Sequence, residues 1–381
     1  MGSKLIPYSE ITTENNQYPP LTSSRKGLFL QTDYFNRQVA SEDNTGYNIV
    51  PYGYFTYRHM SDDRTFYFNI NEIVEKGIVS TLYPVFTTTD GLNSHFLRAY
   101  LNYSKRFALY CVLQKQGGSR TYMYFRKLCA HNAVIPSVEE QEKIADFIDL
   151  LDKRIKLQNE KIECLKKYKR GAFDAVFTQK IRLIPEHEQR EWTVFNLSDF
   201  ATRITRKNGN KTDIPLTISA QYGLIDQRKY FSKTVASSDM SGYFLLHQGE
   251  FAYNRSTSND YPLGSIKRLE QHECGAVSTL YLCFAIKESV VLPELAKWYF
   301  ETSLWHKGVR EICAEGARSH GLLNVPTEGF FTTTHKLPFD LEEQRKIANY
   351  LGLIHRKCEE AEDVLMSLIR LRNGLVQRLF I

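Results

Sequence analysis

Pro136-Ser137-Val138-Glu139-Glu140-Gln141-Glu142-Lys143-Ile144-Ala145 returns about two hundred residues later as Pro338-Phe339-Asp340-Leu341-Glu342-Glu343-Gln344-Arg345-Lys346-Ile347-Ala348. Each copy begins a charged stretch whose apolar residues step alternately by four and three. In the first, the steps fall on Ile144, Ile148, Leu151, Ile155, Gln158, Ile162, Leu165, Lys169, Ala172 and Val176. In the second they fall on Ile347, Leu351, Ile354, Cys358, Ala361, Leu365, Leu368, Arg372, Leu375 and Leu379. This spacing predicts two coiled-coil helices of roughly 35–40 residues, or about 55 Å at 1.5 Å per residue. Both seams break at the same slot, Lys169 and Arg372, where a long cationic side chain is expected to snorkel to water. Two equivalent seams are self-complementary, so the helices are expected to pack on each other.

The repetition extends upstream. Tyr34-Phe35, Val39-Ala40-Ser41, Asp43 and Gly46-Tyr47 recur as Tyr230-Phe231, Val235-Ala236-Ser237, Asp239 and Gly242-Tyr243. Gly53, Phe55 and Tyr57 match Gly249, Phe251 and Tyr253, and Val79-Ser80-Thr81-Leu82-Tyr83 matches Val277-Ser278-Thr279-Leu280-Tyr281. Gly118-Ser119-Arg120 matches Gly316-Ala317-Arg318. The offset drifts by a few residues along the series, as loop insertions make it do in a duplicated domain. Internal duplication outranks any single motif, because missing it would misassign the architecture.

At 381 residues the chain has room for two ordinary domains and connecting helices. Its 42% hydrophobic and 24% charged residues suit a globular protein, and no apolar run is long enough to span a membrane. With no signal-peptide pattern, a cytoplasmic location is expected. Seven scattered cysteines without a CxxC pair support neither a disulfide framework nor a zinc site. A net charge of +6 permits a polyanionic partner without establishing one. The 23 Tyr and 23 Phe favour strands. Strand-like runs lie at residues 54–57, 65–70, 78–86 and 122–125, and again at 251–254 and 277–286. Helices are expected at 94–107 and 293–311. Residues 182–191 are polar and proline-containing, a natural boundary.

Two variable halves, each ending in a Pro-x-x-x-Glu-Gln-x-x-Ile-Ala-type start to a long helix, resemble the specificity (S) subunit of type I restriction–modification systems. The similarity is strongest at residues 135–147 and 337–350. Gly249-Glu250-Phe251-Ala252-Tyr253-Asn254 and Gly275-Ala276-Val277-Ser278-Thr279-Leu280-Tyr281 support it. The resemblance implies an α/β (α+β) fold: two duplicated target-recognition domains joined by two long antiparallel coiled-coil helices, related by a pseudo-twofold. The corresponding boundaries are 1–134 and 192–335 for the recognition domains, 135–181 and 336–381 for the helices, and 182–191 for the linker. It further implies recognition of a bipartite, interrupted site on double-stranded DNA. The partners would be two methyltransferase (M) subunits together with restriction (R) subunits, with no membrane and no cofactor. The first half lacks the lead-in that residues 192–199 give the second. An N-terminus shortened relative to the family is therefore expected, and with it an uncertain first strand.

Candidate DNA contacts follow from side-chain chemistry. Tyr253, Asn254, Arg255, Ser256, Ser258 and Asn259 follow a predicted strand and are rich in hydrogen-bonding groups; Tyr57, Arg58 and His59 are their counterparts. Arg120 and Arg318 stand in glycine-led loops at the same place in both halves, and arginine suits bidentate contact with guanine or phosphate. Lys115, Gln116, Ser119, Ser319 and His320 flank these loops. Arg203, Arg206, Lys207 and Lys211 form a basic stretch suited to phosphates. Glu140, Gln141, Glu343 and Gln344, on near-identical outer helix faces, are candidates for partner docking. Every one of these groups would look the same in an ordinary polar turn or a solvated face.

No catalytic motif is present. There is no phosphate-binding G-x-x-x-x-G-K-[ST] loop and no G-x-G-x-x-G. The only Pro-Pro, Pro19-Pro20, lies between Tyr18 and Leu21 and does not resemble the Asp/Asn-Pro-Pro-aromatic motif of amino-methyltransferases. The histidines are not spaced as metal ligands. A non-catalytic recognition subunit is therefore expected. The alternative function class is a structural coiled-coil adaptor that binds protein partners, distinguishable by the salt dependence of DNA binding.

Overall fold

Both copies of the repeat open a helix for the same local reason. The side chains of Ser137 and Asp340 accept hydrogen bonds from the N–H groups of Glu140 (3.3 Å) and Glu343 (3.0 Å). Each bond satisfies one donor that an N-terminus leaves unpaired. In a computed structural model of the chain the helices run over Val138–Phe177 and Leu341–Leu379. The structure describes residues 1–34, 43–115, 119–219, 222–230, 237, 239–258, 261–313 and 322–380.

The chain forms two compact units, Met1–Lys161 with Ala361–Ile381, and Ile162–Glu360. In unit 1 an antiparallel sheet has the order Leu5–Tyr8, Val85–Thr88, Phe55–Thr56, Asn69–Ile70. In unit 2 the order is Ala201–Ile204, Leu282–Ile286, Phe251–Asn254, Ser265–Arg268. These are the same sheet built from equivalent strands. The first strand of unit 1, left uncertain by the sequence, is formed and paired. Each unit adds an early hairpin (Leu21–Ser24 with Gly27–Leu30, and Leu216–Ser219 with Gly223–Asp226). Each also adds a longer-range strand pair (Asn48–Pro51 with Lys76–Val79, and Phe244–His247 with Cys274–Val277). Gly77 and Gly275 occupy equivalent places in these pairs. A Cβ on either would overlap the side chain of Leu21 or Leu216, so the strand pair can approach the hairpin only where there is no side chain.

Several predicted elements divide. Residues 78–86 and 277–286 are each two strands, because Tyr83 N–H and Tyr281 N–H turn back to Ser80 and Ser278 carbonyls (3.0 and 3.1 Å). The 94–107 helix stops at Tyr103, and Ser104 caps a second helix, Lys105–Leu113, by accepting from Phe107 N–H at 3.3 Å. The 293–311 helix is likewise two, Pro293–Phe300 and His306–Ile312. Only Asn69–Ile70 of the 65–70 run is strand. Of the 122–125 run only Tyr122 is strand, in the short strand Thr121–Tyr122, and Phe125 already opens the helix Phe125–Ala130.

Within each unit the long helices pack on each other and on a short helix, Ser94–Tyr103 in unit 1 and Pro293–Phe300 in unit 2. In unit 1, Ile144, Ala145 and Ile148 from the start of the first helix share a core with Val376 and Phe380 from the end of the second chain segment. Phe380 packs edge-on against Phe96 and Tyr100, at 5.7 and 5.5 Å. Burying such a ring stabilises by roughly 1.5–3 kcal/mol. In unit 2 the ends are exchanged: Phe173, Val176 and Phe177 meet Ile347, Ala348 and Leu351. The pairing is therefore antiparallel in both. The predicted seam drifts at its end, where Leu379 is exposed while Val376 and Phe380 are buried. A straight helix of 3.6 residues per turn falls behind a 3.5-residue repeat.

The two seam-breaking cations do not simply snorkel. Arg372 Nη1 donates to Asp152 Oδ1 at 2.9 Å and its guanidinium lies over the Tyr103 ring. Lys169 Nζ is 2.9 Å from His355 Nδ1 and lies over the Phe173 ring. Each is held by a partner from the other helix of the pair. Desolvation by burial lowers the Lys169 pKa below its ordinary value.

The glutamines of the repeat are buried clamps, which corrects their expected role in docking. Gln141 Nε2 donates to Gly91 O (3.2 Å) and Pro136 O (2.9 Å), and its Oε1 accepts from Asn93 N–H (2.8 Å). Gln344 does the same with Val290 O (2.9 Å), Pro338 O (2.8 Å) and Leu292 N–H (2.7 Å). Asn93 and Leu292 are the N-cap residues of Ser94–Tyr103 and Pro293–Phe300. Each glutamine thus ties the start of a long helix to the start of the helix beside it. Gln141→Ala is expected to cost about 2–3 kcal/mol, because it strands buried backbone groups. The midpoint of urea unfolding measures this.

Candidate nucleic-acid interface

The strand-end motifs divide into core and surface. Tyr57 and Tyr253 are fully buried, with hydroxyls donating to Met123 O and Leu263 O, each at 2.9 Å. Burial pushes both phenols well above their ordinary pKa. They are core residues and touch no surface that a duplex could reach, a correction to their reading as contacts. Two residues further on, His59 Nδ1 donates to Leu82 O at 2.6 Å. Arg255, at the equivalent place, donates from Nη2 to Leu280 O at 2.8 Å and from Nη1 to Val325 O at 3.3 Å. The same carbonyl of the duplicated turn is fastened in both units by different side chains, so the bond is part of the scaffold. Asn254 Oδ1 accepts from Ser256 N–H at 3.0 Å and shapes the turn after its strand. Ser256, Ser258 and Arg58 are exposed.

The basic stretch of unit 2 is partly structural. Arg206 Nη2 donates to Leu245 O (3.1 Å) and pairs with Glu250 (2.6 Å). Lys207 donates to Gly242 O at 3.0 Å and lies 4.4 Å from the centre of the Phe244 ring. Arg203 and Lys211 are exposed and suited to phosphates. In unit 1, Lys115 and Ser119 are exposed, and Arg120 Nε donates to Asp62 Oδ1 at 2.9 Å. Gln116, Asn259, Arg318, Ser319 and His320 lie outside the described residues.

Sequence reasoning missed one feature. Arg25, in the turn of the early hairpin, meets Asp63 across an open cleft of about 300 Å³ that Arg58, Met60 and Asp62 also line. The basic Arg25-Lys26-Gly27 turn was its only sequence signal.

The helix faces also differ from expectation. Glu343 is 2% exposed and accepts from Arg182 Nε (2.7 Å), Arg182 Nη2 (3.0 Å) and Trp192 Nε1 (3.2 Å). Together with Gln141 and Gln344 it is unavailable to a partner, while Glu140 is exposed. The apolar residues that do face outward in unit 1 include Phe147, Leu150 and Leu157, on one side of the first helix. Among the described residues no helix is long and apolar enough to cross a membrane.

No protein-family model matches the chain. In structure it is similar to the S subunit of a type I restriction–modification system from M. genitalium, with 14% identity over 100% of this chain and 94% of that one (TM-score 0.57). It is also similar to a chain from a structure of complex assembly and conformational transition of the type I R-M system. There the identity is 14%, over 100% of this chain and 96% of that one (TM-score 0.56). Both likenesses run the full length of the chain. They rest on the mixed helix-and-strand architecture with its two long helices, so the chain has the fold of a type I restriction–modification S subunit.

Proposed function

We propose that this chain is a non-catalytic DNA-recognition subunit. Each unit reads one half of a bipartite, interrupted site on double-stranded DNA, and the chain directs methyltransferase and restriction subunits to that site from the cytoplasm. The observation that carries this reading is the duplication itself. Two units with the same sheet order each present exposed cationic and hydrogen-bonding side chains, on the fold of an S subunit. Exposed Arg203 and Lys211 in unit 2 and Arg58 and Lys115 in unit 1 supply phosphate or base contacts. The outward Phe147, Leu150 and Leu157 supply an apolar stripe for helix-to-helix docking of the methyltransferase. The chemistry belongs to the partners, and no cofactor is assigned to this chain.

The test is to co-express the chain with its cognate methyltransferase and map the methylated adenines. Replacing residues 192–335 by the equivalent region of a relative is expected to change one half-site and leave the other intact. A swap that altered both half-sites would refute the two-reader model. Affinity for duplex DNA should fall linearly with log salt if several phosphates are engaged. A protein adaptor would show no such dependence.

A further inference from the structure

The cleft of unit 1 is organised by pairs of opposite charge. Asp63 accepts from Thr65 through both Oγ1 (2.6 Å) and N–H (3.1 Å) and from Ser61 Oγ (2.8 Å). These bonds, Thr65's foremost, hold its carboxyl well below the usual carboxylate range. The fixed carboxylate pairs with Arg25, whose guanidinium lies 5.5 Å from the centre of the Tyr67 ring. Beside it Asp62 accepts from Arg120 Nε at 2.9 Å, and Arg120 Nη1 is 3.8 Å from Met60 Sδ. Arg58 lines the same cleft. Both paired arginines remain open to solvent, with side chains 64% (Arg25) and 48% (Arg120) exposed.

An arginine on a free stem beside a polyanion settles on phosphate, which carries no sequence information. A carboxylate partner changes this in two ways. It offsets part of the charge that attracts phosphate, and it fixes the plane of the guanidinium so that its remaining donors point in one direction. Arg120 is held through Nε, which leaves its two terminal nitrogens as the free edge. The thioether near one of them is a weak acceptor and gives way to a better one. Two adjacent acceptors are what that edge matches. In the major groove guanine offers O6 and N7, whereas adenine places a donor beside its N7, thymine offers one acceptor and cytosine a donor.

We propose that unit 1 reads a guanine in its half-site through Arg120, with Asp62 as the positioning residue that makes the contact base-specific. Arg25, held by Asp63, is a second arm in the adjoining cleft that Asp62 also lines, and Arg58 holds the adjoining backbone. This inference rests on the DNA-recognition reading above and adds the base and the residue pair that selects it.

The experiment uses the full chain in complex with its cognate methyltransferase and a duplex library with randomised positions. The wild-type complex is expected to select guanine at a position that both Asp62→Ala and Arg120→Ala relax. Replacing that guanine by 7-deazaguanine, which lacks N7, should weaken wild-type binding by about 10- to 100-fold and leave Arg120→Ala unaffected. Arg120→Lys restores the charge without the forked edge and should not restore the preference. Asp62 is largely exposed, so unfolding midpoints are expected to be unchanged and serve as the control. If Asp62→Ala keeps the guanine preference, or removal of N7 has no effect, the pair is a surface ion pair only and the inference fails while DNA reading stands. If Arg120→Ala weakens all sequences alike, the contact is to phosphate and the inference also fails. If the wild-type complex selects no sequence, the DNA-recognition reading falls and takes this one with it.

Discussion

Glu343→Ala is expected to destabilise the protein by about 3–5 kcal/mol, because it leaves the Arg182 guanidinium without its buried partner. The same exchange at Glu140 should change stability by no more than about 0.5 kcal/mol. Glu343 and Glu140 stand in the same Glu-Gln pair of the repeat. Yet Glu343 is 2% exposed and accepts three hydrogen bonds, while Glu140 faces solvent. Arg182 adds a contact with the face of Trp192, 5.7 Å from the ring centre, so the loss extends to the lead-in strand. Urea unfolding of the two variants side by side measures the contrast. Similar midpoints would show that the Arg182–Glu343–Trp192 cluster does not hold unit 2 together.

A second large effect is a fall in stability on acidification. His335 is buried beside the Tyr299 hydroxyl (3.1 Å) and Thr333 Oγ1 (2.9 Å), and burial lowers its pKa to about 4. The unfolded chain binds this proton near pH 6.5, the folded one only near 4. Between those values the unfolded state carries more protons, so stability rises with pH there and is fully present above about 6.5. Going from pH 7.5 to 4.5 should cost on the order of 2–3 kcal/mol from this residue. In unit 1, His131 is paired with the Tyr100 hydroxyl at 2.8 Å and its pKa is lowered in the same direction, chiefly by burial. A series of urea titrations across this range would read the slope. His335→Gln should flatten it relative to the parent, and an unchanged slope would remove His335 as the cause.

The parts of this architecture that were legible in the sequence are those with a period. The long helices announced themselves through apolar steps of four and three, and the duplication through collinear matches, both of which need no knowledge of neighbours. Burial of particular polar residues was illegible for the opposite reason. Gln141 and Glu140 are adjacent on one helix turn and chemically alike, and only the loop that folds over the helix decides which is enclosed. Tyr57 and Tyr253 show the same limit: a tyrosine at a strand end reads as a surface contact until the aromatic side chains that enclose it are known. The cleft depended on residues 25 and 63, which meet only once the early hairpin is folded, and Arg120 reaches Asp62 beside it only because Thr121–Tyr122 pairs with Met60–Ser61; neither leaves a local pattern.

The partition of the chain also sets an order in time. Unit 2 is a continuous stretch, Ile162–Glu360, whereas unit 1 combines Met1–Lys161 with Ala361–Ile381. Val376 and Phe380 are part of the unit 1 core. On a ribosome the first 161 residues therefore emerge without two of the side chains that close their core. At about 5–20 residues per second, some 200 intervening residues take on the order of 10–40 s to synthesise. During that interval the face of the Ser94–Tyr103 helix that receives Phe380 waits open, and the later-made unit is the first able to complete its fold.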